Sequence, residues 1–208
     1  MVNPYFTHGH LEVICGPMFS GKTEELIRRI RRAQIARQRV QIFKPAMDTR
    51  YGETTVVSHS AQSIESMPVA QAQDILNLVK DATRMVAIDE VQFFSSEIIE
   101  VVNKLTARGL RVIVAGLDLD YRARPFGSMG ELLAMADEVY KIQAICTVCG
   151  APATRSQRLV NVSEQFLLGE SQIYEARCRA HYEDEEAKTL PPTSNTPKFA
   201  DHQSAIKN

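Results

Sequence analysis

Short apolar runs alternate with segments of helical period along the first two thirds of the chain. The runs predict five strands: Leu11–Cys15, Val40–Lys44, Met85–Ile88, Val112–Gly116 and Val139–Ile142. Apolar positions that recur every three or four residues predict four helices: Glu24–Arg37, Val69–Lys80, Ser96–Ala107 and Met129–Ala136. Strands that alternate with helices are typical of a mostly parallel sheet covered by helices. The sequence therefore predicts an α/β fold, whose ligands lie beyond the carboxyl ends of the strands.

The composition and the hydrophobic pattern of the chain change at Cys146. From there to His181, cysteines, glycine, proline and short polar–apolar alternations replace the long helical segments. We interpret the chain as an α/β domain over residues 1–143, a small second domain over residues 144–182 and a tail over residues 183–208. The tail combines an acidic cluster with a proline-rich run and has too little apolar content to order itself, so we expect it to be disordered.

Length and charge limit the classes of function. A chain of 208 residues can bury one core of ordinary size plus a small appendage, which leaves no room for two full nucleotide-binding domains. Lys and Arg number 24 against 25 Asp and Glu, so the chain creates no general field that attracts nucleic acids or membranes. We expect small or specific partners, no nucleic acid and no membrane.

The first residues and the cysteines indicate a compartment. The N-terminus lacks a basic segment that leads into an apolar one, and no stretch approaches the roughly 20 apolar residues that a membrane span needs. These features predict a cytoplasmic protein. Because thiols stay reduced there, the four cysteines are candidates for metal binding or core packing rather than for disulfides.

The first chemical motif follows the first predicted strand, where residues 16–23 read GPMFSGKT. In a GxxxxGKT loop the backbone N–H groups point at a polyphosphate, while Lys22 reaches the β- and γ-oxygens and the Thr23 hydroxyl ligates Mg²⁺. The string can occur by chance in a surface loop, but the strand before it and the helix after it are the context that it requires. We predict binding of a nucleoside triphosphate by Gly16, Pro17, Met18, Phe19, Ser20, Gly21, Lys22 and Thr23.

Two carboxylates follow the third predicted strand. Asp89 is expected to complete the Mg²⁺ shell, usually through water. Glu90 points differently and could act as a general base toward water or an alcohol beside the γ-phosphate. The alternative is that both residues cap the next helix. Two further loops, residues 44–51 and 117–126, each combine arginine, aspartate and an aromatic residue, and each could be a catalytic or an ordinary solvated loop.

Two ligand pairs with identical spacing predict a metal site. Cys146 and Cys149 form the first pair, and Cys178 and His181 form the second. A Cys₃His set is a recognised tetrahedral zinc site, and because protein fills all four positions we assign a structural zinc ion. Such an ion would hold together the ends of the intervening segment. The alternative is buried reduced cysteines beside an unrelated histidine, and Cys15 is assigned to the core.

The order and spacing of six segments resemble the cellular, type II thymidine kinases over about residues 11–182. The segments are GPMFSGKT (16–23), PAMDTRY (45–51), DEVQFF (89–94), GLDLDYRARPFG (116–127), CTVC (146–149) and CRAH (178–181). The resemblance implies a P-loop (RecA-like) parallel sheet covered by helices, with a small zinc-binding lasso domain that closes over the nucleoside. It also implies transfer of the γ-phosphate of ATP to the 5′-hydroxyl of thymidine, which gives dTMP and requires Mg²⁺.

The resemblance assigns roles to single residues. Glu90 matches the base that takes the 5′-hydroxyl proton, Asp48 and Arg50 match an acidic and basic pair near the transferring group, and Lys22 holds the phosphates. Thr23 and Asp89 hold magnesium, and Gln92 joins the ATP-binding residues. The implied base pocket consists of Met18, Leu117, Tyr121, Ser156 and Tyr174. A homotetramer and inhibition by dTTP are implied as well.

Three positions depart from the pattern of the family. His181 stands where many relatives have cysteine, Tyr121 where some have phenylalanine, and Ser156 where threonine is common. The last two bear on the size of the pocket and on the strength of its preference for the 5-methyl group. The second hypothesis for the whole chain is a P-loop ATPase with a zinc-ribbon nucleic-acid-binding module. In that protein Glu90 would activate water and the arginine-rich first helix would bind nucleic acid. We instead predict a solvated face for the arginines of this helix, because its apolar residues form a separate inner stripe. The arginines are Arg28, Arg29, Arg31, Arg32 and Arg37.

Overall fold

A six-stranded parallel sheet forms the centre of the computed structural model, which describes residues 8–47, 55–57, 63–160 and 173–183. The described strands in chain order are β1 (His10–Cys15), β2 (Val40–Pro45), β3 (Thr55–Val57), β4 (Ser63–Glu65), β5 (Met67–Val69), β6 (Met85–Ile88), β7 (Arg111–Gly116), β8 (Glu138–Lys141), β9 (Ala144–Ile145), β10 (Pro152–Ala153), β11 (Arg155–Arg158) and β12 (Tyr174–Arg177). The described helices are α1 (Lys22–Ile35), α2 (Ala72–Leu78), a 3₁₀ helix (Val91–Phe93), α3 (Glu97–Ala107) and α4 (Met129–Met135). The large sheet has the order β5-β2-β6-β7-β1-β8.

The sheet is covered on both faces because its strands alternate two sets of apolar side chains. Leu11, Val13 and Cys15 of β1 belong to one core cluster, and α2, α3 and α4 pack on that face. Ile14 of β1 belongs to a second cluster, in which Leu26, Ile27, Ile30 and Ala33 of α1 cover the other face. This is the arrangement that the alternation of strand and helix predicts for an α/β fold.

The five predicted strands are confirmed, with ends that differ by at most one residue. Three of the four predicted helices are confirmed, with ends that differ by at most two residues. The prediction of a single helix over Val69–Lys80 is wrong at its beginning. Residues Met67–Val69 form β5, which pairs in parallel with β2 at the edge of the sheet. An edge strand tolerates Pro68, and three residues are too few for a periodic pattern to reveal. The helix begins only after Gln71, whose side chain and that of Asp74 form a capping box.

The arginine run of α1 is not a uniformly solvated face, and that reading is corrected for Arg29. Its guanidinium is buried and contacts the carboxylates of Glu12, Glu25 and Glu138. Glu12, on β1, also accepts two hydrogen bonds from Arg111, at 2.5 and 3.0 Å. Arg29 therefore belongs to a cluster of ion pairs between α1 and the sheet.

The residues after Ile142 build two small two-stranded antiparallel sheets, β9 with β10 and β11 with β12. The Thr147 N–H donates to the Ala176 carbonyl at 3.1 Å, which joins the first sheet to the second. The predicted domain boundaries remain a prediction, and residues 184–208 of the predicted tail lie outside the described residues. In the described part of the chain, no helix has the length and apolar character that a membrane span requires.

Candidate functional site

The GxxxxGKT loop connects the end of β1 to the start of α1, as its motif requires. Gly16 has φ 146°, and a Cβ at this position would meet the Ile142 carbonyl oxygen at 2.2 Å. Only glycine therefore fits where the chain leaves the strand. Gly21, with φ 84°, caps α1, so the first N–H groups of a 14-residue helix face the loop. This combination of loop and helix N-terminus is suited to binding phosphate.

The polar side chains of the loop are ordered by one carbonyl group. Lys22 Nζ and Ser20 Oγ each donate to the Pro17 oxygen, both at 2.8 Å. Lys22 is thereby held at the loop, at the first position of α1, and Thr23 follows it in the first helical turn. The Thr23 hydroxyl and the Asp89 carboxylate offer oxygen donors, which are the ligand atoms that Mg²⁺ prefers. The two predicted magnesium residues are chemically suited to that ion.

The two carboxylates follow β6, which is separated from β1 in the sheet by β7 alone. Asp89 is buried, and its Oδ1 accepts the Glu90 N–H at 2.9 Å. Glu90 has φ 50°, in the left-handed region, so the chain turns sharply between the strand and the 3₁₀ helix. A strained residue of this kind is typical of functional sites. The turn also brings Gln92 Nε2 to 2.5 Å from Glu90 Oε2.

The loop after β7 is folded back on itself. The Asp120 carboxylate accepts N–H groups from Arg122 and Arg124 at 2.9 and 3.0 Å, and the Asp120 N–H donates to the Arg124 carbonyl at 2.9 Å. Asp118 pairs with Lys141 at 2.6 Å. The acidic side chains of this loop are buried and shape it, so the alternative of an ordinary solvated loop does not apply to them.

The implied base-pocket residues come together in two groups. The Met18 N–H, in the phosphate loop, donates to Ser156 Oγ of β11 at 3.0 Å. Tyr121 and Tyr174 meet through Arg158, whose guanidinium carbon is 3.5 Å from the Tyr121 ring centre and whose NH2 group donates to the Tyr174 hydroxyl at 2.8 Å.

The fifth residue, Leu117, is connected to the carboxylates instead. Its N–H donates to Gln92 Oε1 at 3.1 Å. The predicted catalytic pair, Asp48 and Arg50, lies outside the described residues.

Sequence reasoning missed Arg158. This side chain is 5% exposed and lies between two aromatic rings, one from the α/β part of the chain and one from β12. The sequence contained one signal, an arginine two positions after Ser156 in an alternating segment. That signal is weak, because the neighbouring sequence does not indicate which aromatic rings a buried arginine will contact.

The four predicted zinc ligands meet at one point. Their donor atoms all lie within 4.8 Å of one another, with Cys149 and Cys178 sulfurs 3.8 Å apart and His181 Nδ1 at 3.2 and 3.9 Å from the Cys178 and Cys146 sulfurs. Zn–S bonds of about 2.3 Å at tetrahedral angles separate two sulfurs by about 3.8 Å. The donor set therefore fits one tetrahedral zinc ion, as the spacing predicts.

The pKa values of two ligand thiols shift in opposite directions. A hydrogen bond from the Ala151 backbone lowers the pKa of the Cys149 thiol, but burial and the Cys146 and Cys178 thiols outweigh it and raise that pKa. The Cys146 thiol is the one whose pKa favours metal binding. Burial raises the pKa of the Cys146 thiol, but hydrogen bonds from the backbone of Cys178, Cys149 and Val148 outweigh it and lower that pKa to about 6. The thiolate is the form that binds zinc. Cys15 differs, because burial and the Asp118 carboxylate raise the pKa of its thiol to about 11. Cys15 belongs to the core, as predicted.

Comparison with known proteins finds one family by two routes, a family model and a curated relative. A family model described as thymidine kinase matches residues 9–182. A curated thymidine kinase of Bdellovibrio bacteriovorus is 51% identical over 185 residues, which are 88% of this chain and 91% of the relative. A crystal structure of a DNA replication initiation factor aligns with 65% of this chain and 40% of its own, at 17% identity and a TM-score of 0.40, which is too low a similarity to support an argument.

Proposed function

The chain belongs to the thymidine kinase family and phosphorylates thymidine with ATP, and we propose that the residues described above divide this reaction between them. Backbone N–H groups of the loop from Gly16 to Gly21 and the start of α1 bind the phosphates of ATP. Lys22 neutralises the β- and γ-oxygens. Thr23 and Asp89 would hold Mg²⁺, which neutralises charge on the phosphates when it is bound.

In the proposed transfer step, Glu90 acts as the general base. Its carboxylate takes the proton of the thymidine 5′-hydroxyl as that oxygen forms a bond to the γ-phosphorus. The bond from the γ-phosphorus to the bridging oxygen breaks, and ADP leaves with that electron pair. The products are dTMP, ADP and a protonated Glu90 that returns its proton to water. Asp48 and Arg50 remain proposed partners of the transferring group.

The acceptor is proposed to bind between the phosphate loop and the second small sheet. Met18 and Ser156 join these two parts by a hydrogen bond of 3.0 Å. Arg158 of the same small sheet contacts both Tyr174 and Tyr121, which joins the sheet to the loop after β7. Leu117 lies on the side of Glu90. We propose that a zinc ion at Cys146, Cys149, Cys178 and His181 holds this sheet in place over the nucleoside, where it excludes water and favours transfer over hydrolysis.

One observation supports this proposal above the others. The phosphate loop after β1 and the carboxylates after β6 lie at the carboxyl ends of two strands that only β7 separates, which is the side where open α/β sheets bind ligands. This arrangement supports Glu90 as the general base for a nucleotide that the loop binds. No described residue favours the second hypothesis, an ATPase with a nucleic-acid module.

The test is phosphate transfer from labelled ATP with Mg²⁺, with thymidine, deoxyuridine, deoxycytidine or no acceptor in parallel. We expect rapid formation of dTMP and little free phosphate in the blank. Phosphate release that ignores the acceptor and rises with nucleic acid would contradict the proposal and support the ATPase.

We also propose a homotetramer, inhibition by dTTP and a cytoplasmic location. Support for association comes from β8, an edge strand that exposes Val139 and Tyr140 at 46% and 47%. Among the described strands β8 pairs only with β1, and an outer edge with exposed apolar side chains is suited to contact with another chain. Light scattering measures the assembly, and dTTP titration of the transfer assay measures the inhibition.

A further inference from the structure

Gln92 lies against the proposed base. The left-handed turn at Glu90 reverses the chain, and the Gln92 side chain returns so that Nε2 is 2.5 Å from Glu90 Oε2. Gln92 is 3% exposed. The amide is thus held inside the protein at the carboxylate.

A second hydrogen bond determines which end of the amide faces Glu90. The Leu117 N–H, 25 positions along the chain, lies 3.1 Å from Gln92 Oε1. A backbone N–H can only donate, so it selects the carbonyl oxygen of the amide. The NH₂ group must then face Glu90, whose ionised carboxylate can only accept. The chemistry of both partners therefore agrees on one orientation.

Two glycines leave the space that Gln92 occupies. A Cβ at Gly116 would lie 2.4 Å from Gln92 Oε1, and a Cβ at Gly127 would lie 2.4 Å from the Gln92 carbonyl oxygen. The first contact would displace the side chain, and the second would displace its backbone. The packing around Gln92 thus depends on the absence of side chains at both positions.

We infer that Gln92 is a positioning residue for the base. Its amide donates to Glu90, stabilises the ionised carboxylate and fixes its orientation toward the acceptor hydroxyl, and its carbonyl ties this arrangement to the end of β7. The inference rests on the proposed function of Glu90. It replaces the ATP-binding role that the resemblance assigns to Gln92, because both ends of the buried amide contact the protein.

Gln92→Glu is the first test, because it is nearly isosteric and keeps an oxygen acceptor for the Leu117 N–H. It replaces the neutral amide with a second carboxyl group that would share a proton with Glu90, so Glu90 would no longer be a free, ionised base. We expect kcat to fall about tenfold or more, because a general base contributes roughly 10²- to 10⁴-fold to the rate and this change impairs it. The KM values of ATP and thymidine should change by less than about twofold. A raised KM for ATP with an unchanged kcat would overturn the inference in favour of nucleotide binding. An unchanged kcat and KM would overturn it as well.

Gly116→Ala tests the same inference without altering Gln92, and it serves if Gln92→Glu does not fold. The new methyl group would lie 2.4 Å from Gln92 Oε1, and 3.0 and 3.1 Å from Val91 Cγ1 and Met129 Sδ. The contact with the flexible end of Gln92 is the closest, so we expect a lower kcat in a folded protein. Gly130→Ala is the matched control, because its Cβ would meet nothing closer than Pro125 Cβ at 3.8 Å. Equal kcat values for both alanine variants would contradict the inference.

A double variant separates this inference from the proposed function. If Gln92 acts through Glu90, Gln92→Glu should lower turnover in the native background and have no further effect in Glu90→Gln. If Glu90→Gln alone keeps full turnover, the proposed base is wrong and the inference fails with it. If Glu90→Gln is inactive and Gln92→Glu is normal, only the inference fails.

Discussion

The guanidinium carbon of Arg158 lies 3.5 Å from the centre of the Tyr121 ring. The same group donates to the Tyr174 hydroxyl at 2.8 Å, so one buried cation joins the loop after β7 to the β11–β12 hairpin. A second contact holds the same loop, because the Tyr182 hydroxyl donates a hydrogen bond to the Tyr121 carbonyl at 2.7 Å. The position of Tyr121 thus depends on residues far from it in the sequence.

Arg158→Met should weaken binding of thymidine. A desolvated cation–π contact contributes about 2 kcal/mol, and about 1.4 kcal/mol corresponds to tenfold in affinity, so we expect the KM of thymidine to rise roughly ten- to thirtyfold. The KM of ATP should not change. Arg122→Met is the control, because Arg122 contacts the same tyrosine from the exposed side, at 5.1 Å from the ring centre and with a 2.8 Å hydrogen bond to its hydroxyl. Solvent-exposed contacts of this kind contribute little. Equal thymidine KM values for both variants would remove Arg158 from the acceptor site.

Glu90→Gln should lose about 10²- to 10⁴-fold in kcat, because it removes the proton acceptor and leaves the phosphate loop intact. Direct binding of ATP, measured by calorimetry, should stay within about twofold of the native value. Asp89→Asn is the contrasting variant and should raise the Mg²⁺ concentration needed for half-maximal rate. Near-native turnover in Glu90→Gln would assign the base to another residue.

Cys149→Ser should reduce the zinc content of the purified chain and lower its thermal stability, since three ligands remain of four. Atomic absorption gives the zinc per chain, and calorimetry gives the melting temperature. Cys15→Ala is the matched control, because Cys15 lies in the core of the sheet and away from the four ligands. Zinc content that is equal in both variants and the native chain would exclude the site.

The sequence predicts those parts of this molecule that depend on neighbours in the chain. The loop from Gly16 to Thr23 is such a case, because its strand, turn and helix are contiguous in the sequence. Its two glycines adopt backbone angles that the motif requires in any protein. Each pair of zinc ligands is likewise visible in the sequence, because its two members are three positions apart, and the chemistry of a Cys₃His set predicts that the pairs meet. In contrast, the contact of Gln92 with Leu117 spans 25 positions and exists only once β6 and β7 are adjacent. The stacking of Arg158 on Tyr121 is likewise tertiary.

Burial of Glu12 explains why Arg29 departs from the solvated face that the arginine run suggests. Glu12 is 1% exposed and points from β1 toward α1, where Arg29 and Arg111 both contact its carboxylate. A buried carboxylate needs charged partners, and the helix supplies one. The pattern of the helix alone does not contain this information, since the partner lies on a strand.

The Glu12 cluster should make stability depend on pH in acid. Burial raises the pKa of Glu12, but hydrogen bonds and attraction from Arg111 and Arg29 outweigh it and hold that pKa below its ordinary value of 4.5. Because the folded-state pKa is the lower one, the contribution of this group to stability is complete above about pH 4.5 and is lost as the pH falls through the folded value. Glu12→Gln leaves two cations without their shared carboxylate. Because Arg29 keeps its contacts with Glu25 and Glu138, we expect the substitution to lower the free energy of unfolding at pH 7 by about 1–3 kcal/mol.

The measurement is urea unfolding of the native chain, Glu12→Gln and Glu100→Gln at several pH values from neutral to acid. Glu100 serves as the control, since its pair with Lys104 is exposed on α3 and should contribute nothing measurable. The difference between native and Glu12→Gln should be largest at neutral pH and should shrink below about pH 4.5, because protonation of Glu12 removes the same charge that the substitution removes. A difference that is independent of pH would mean that Glu12 stabilises the fold through packing and not through its charge.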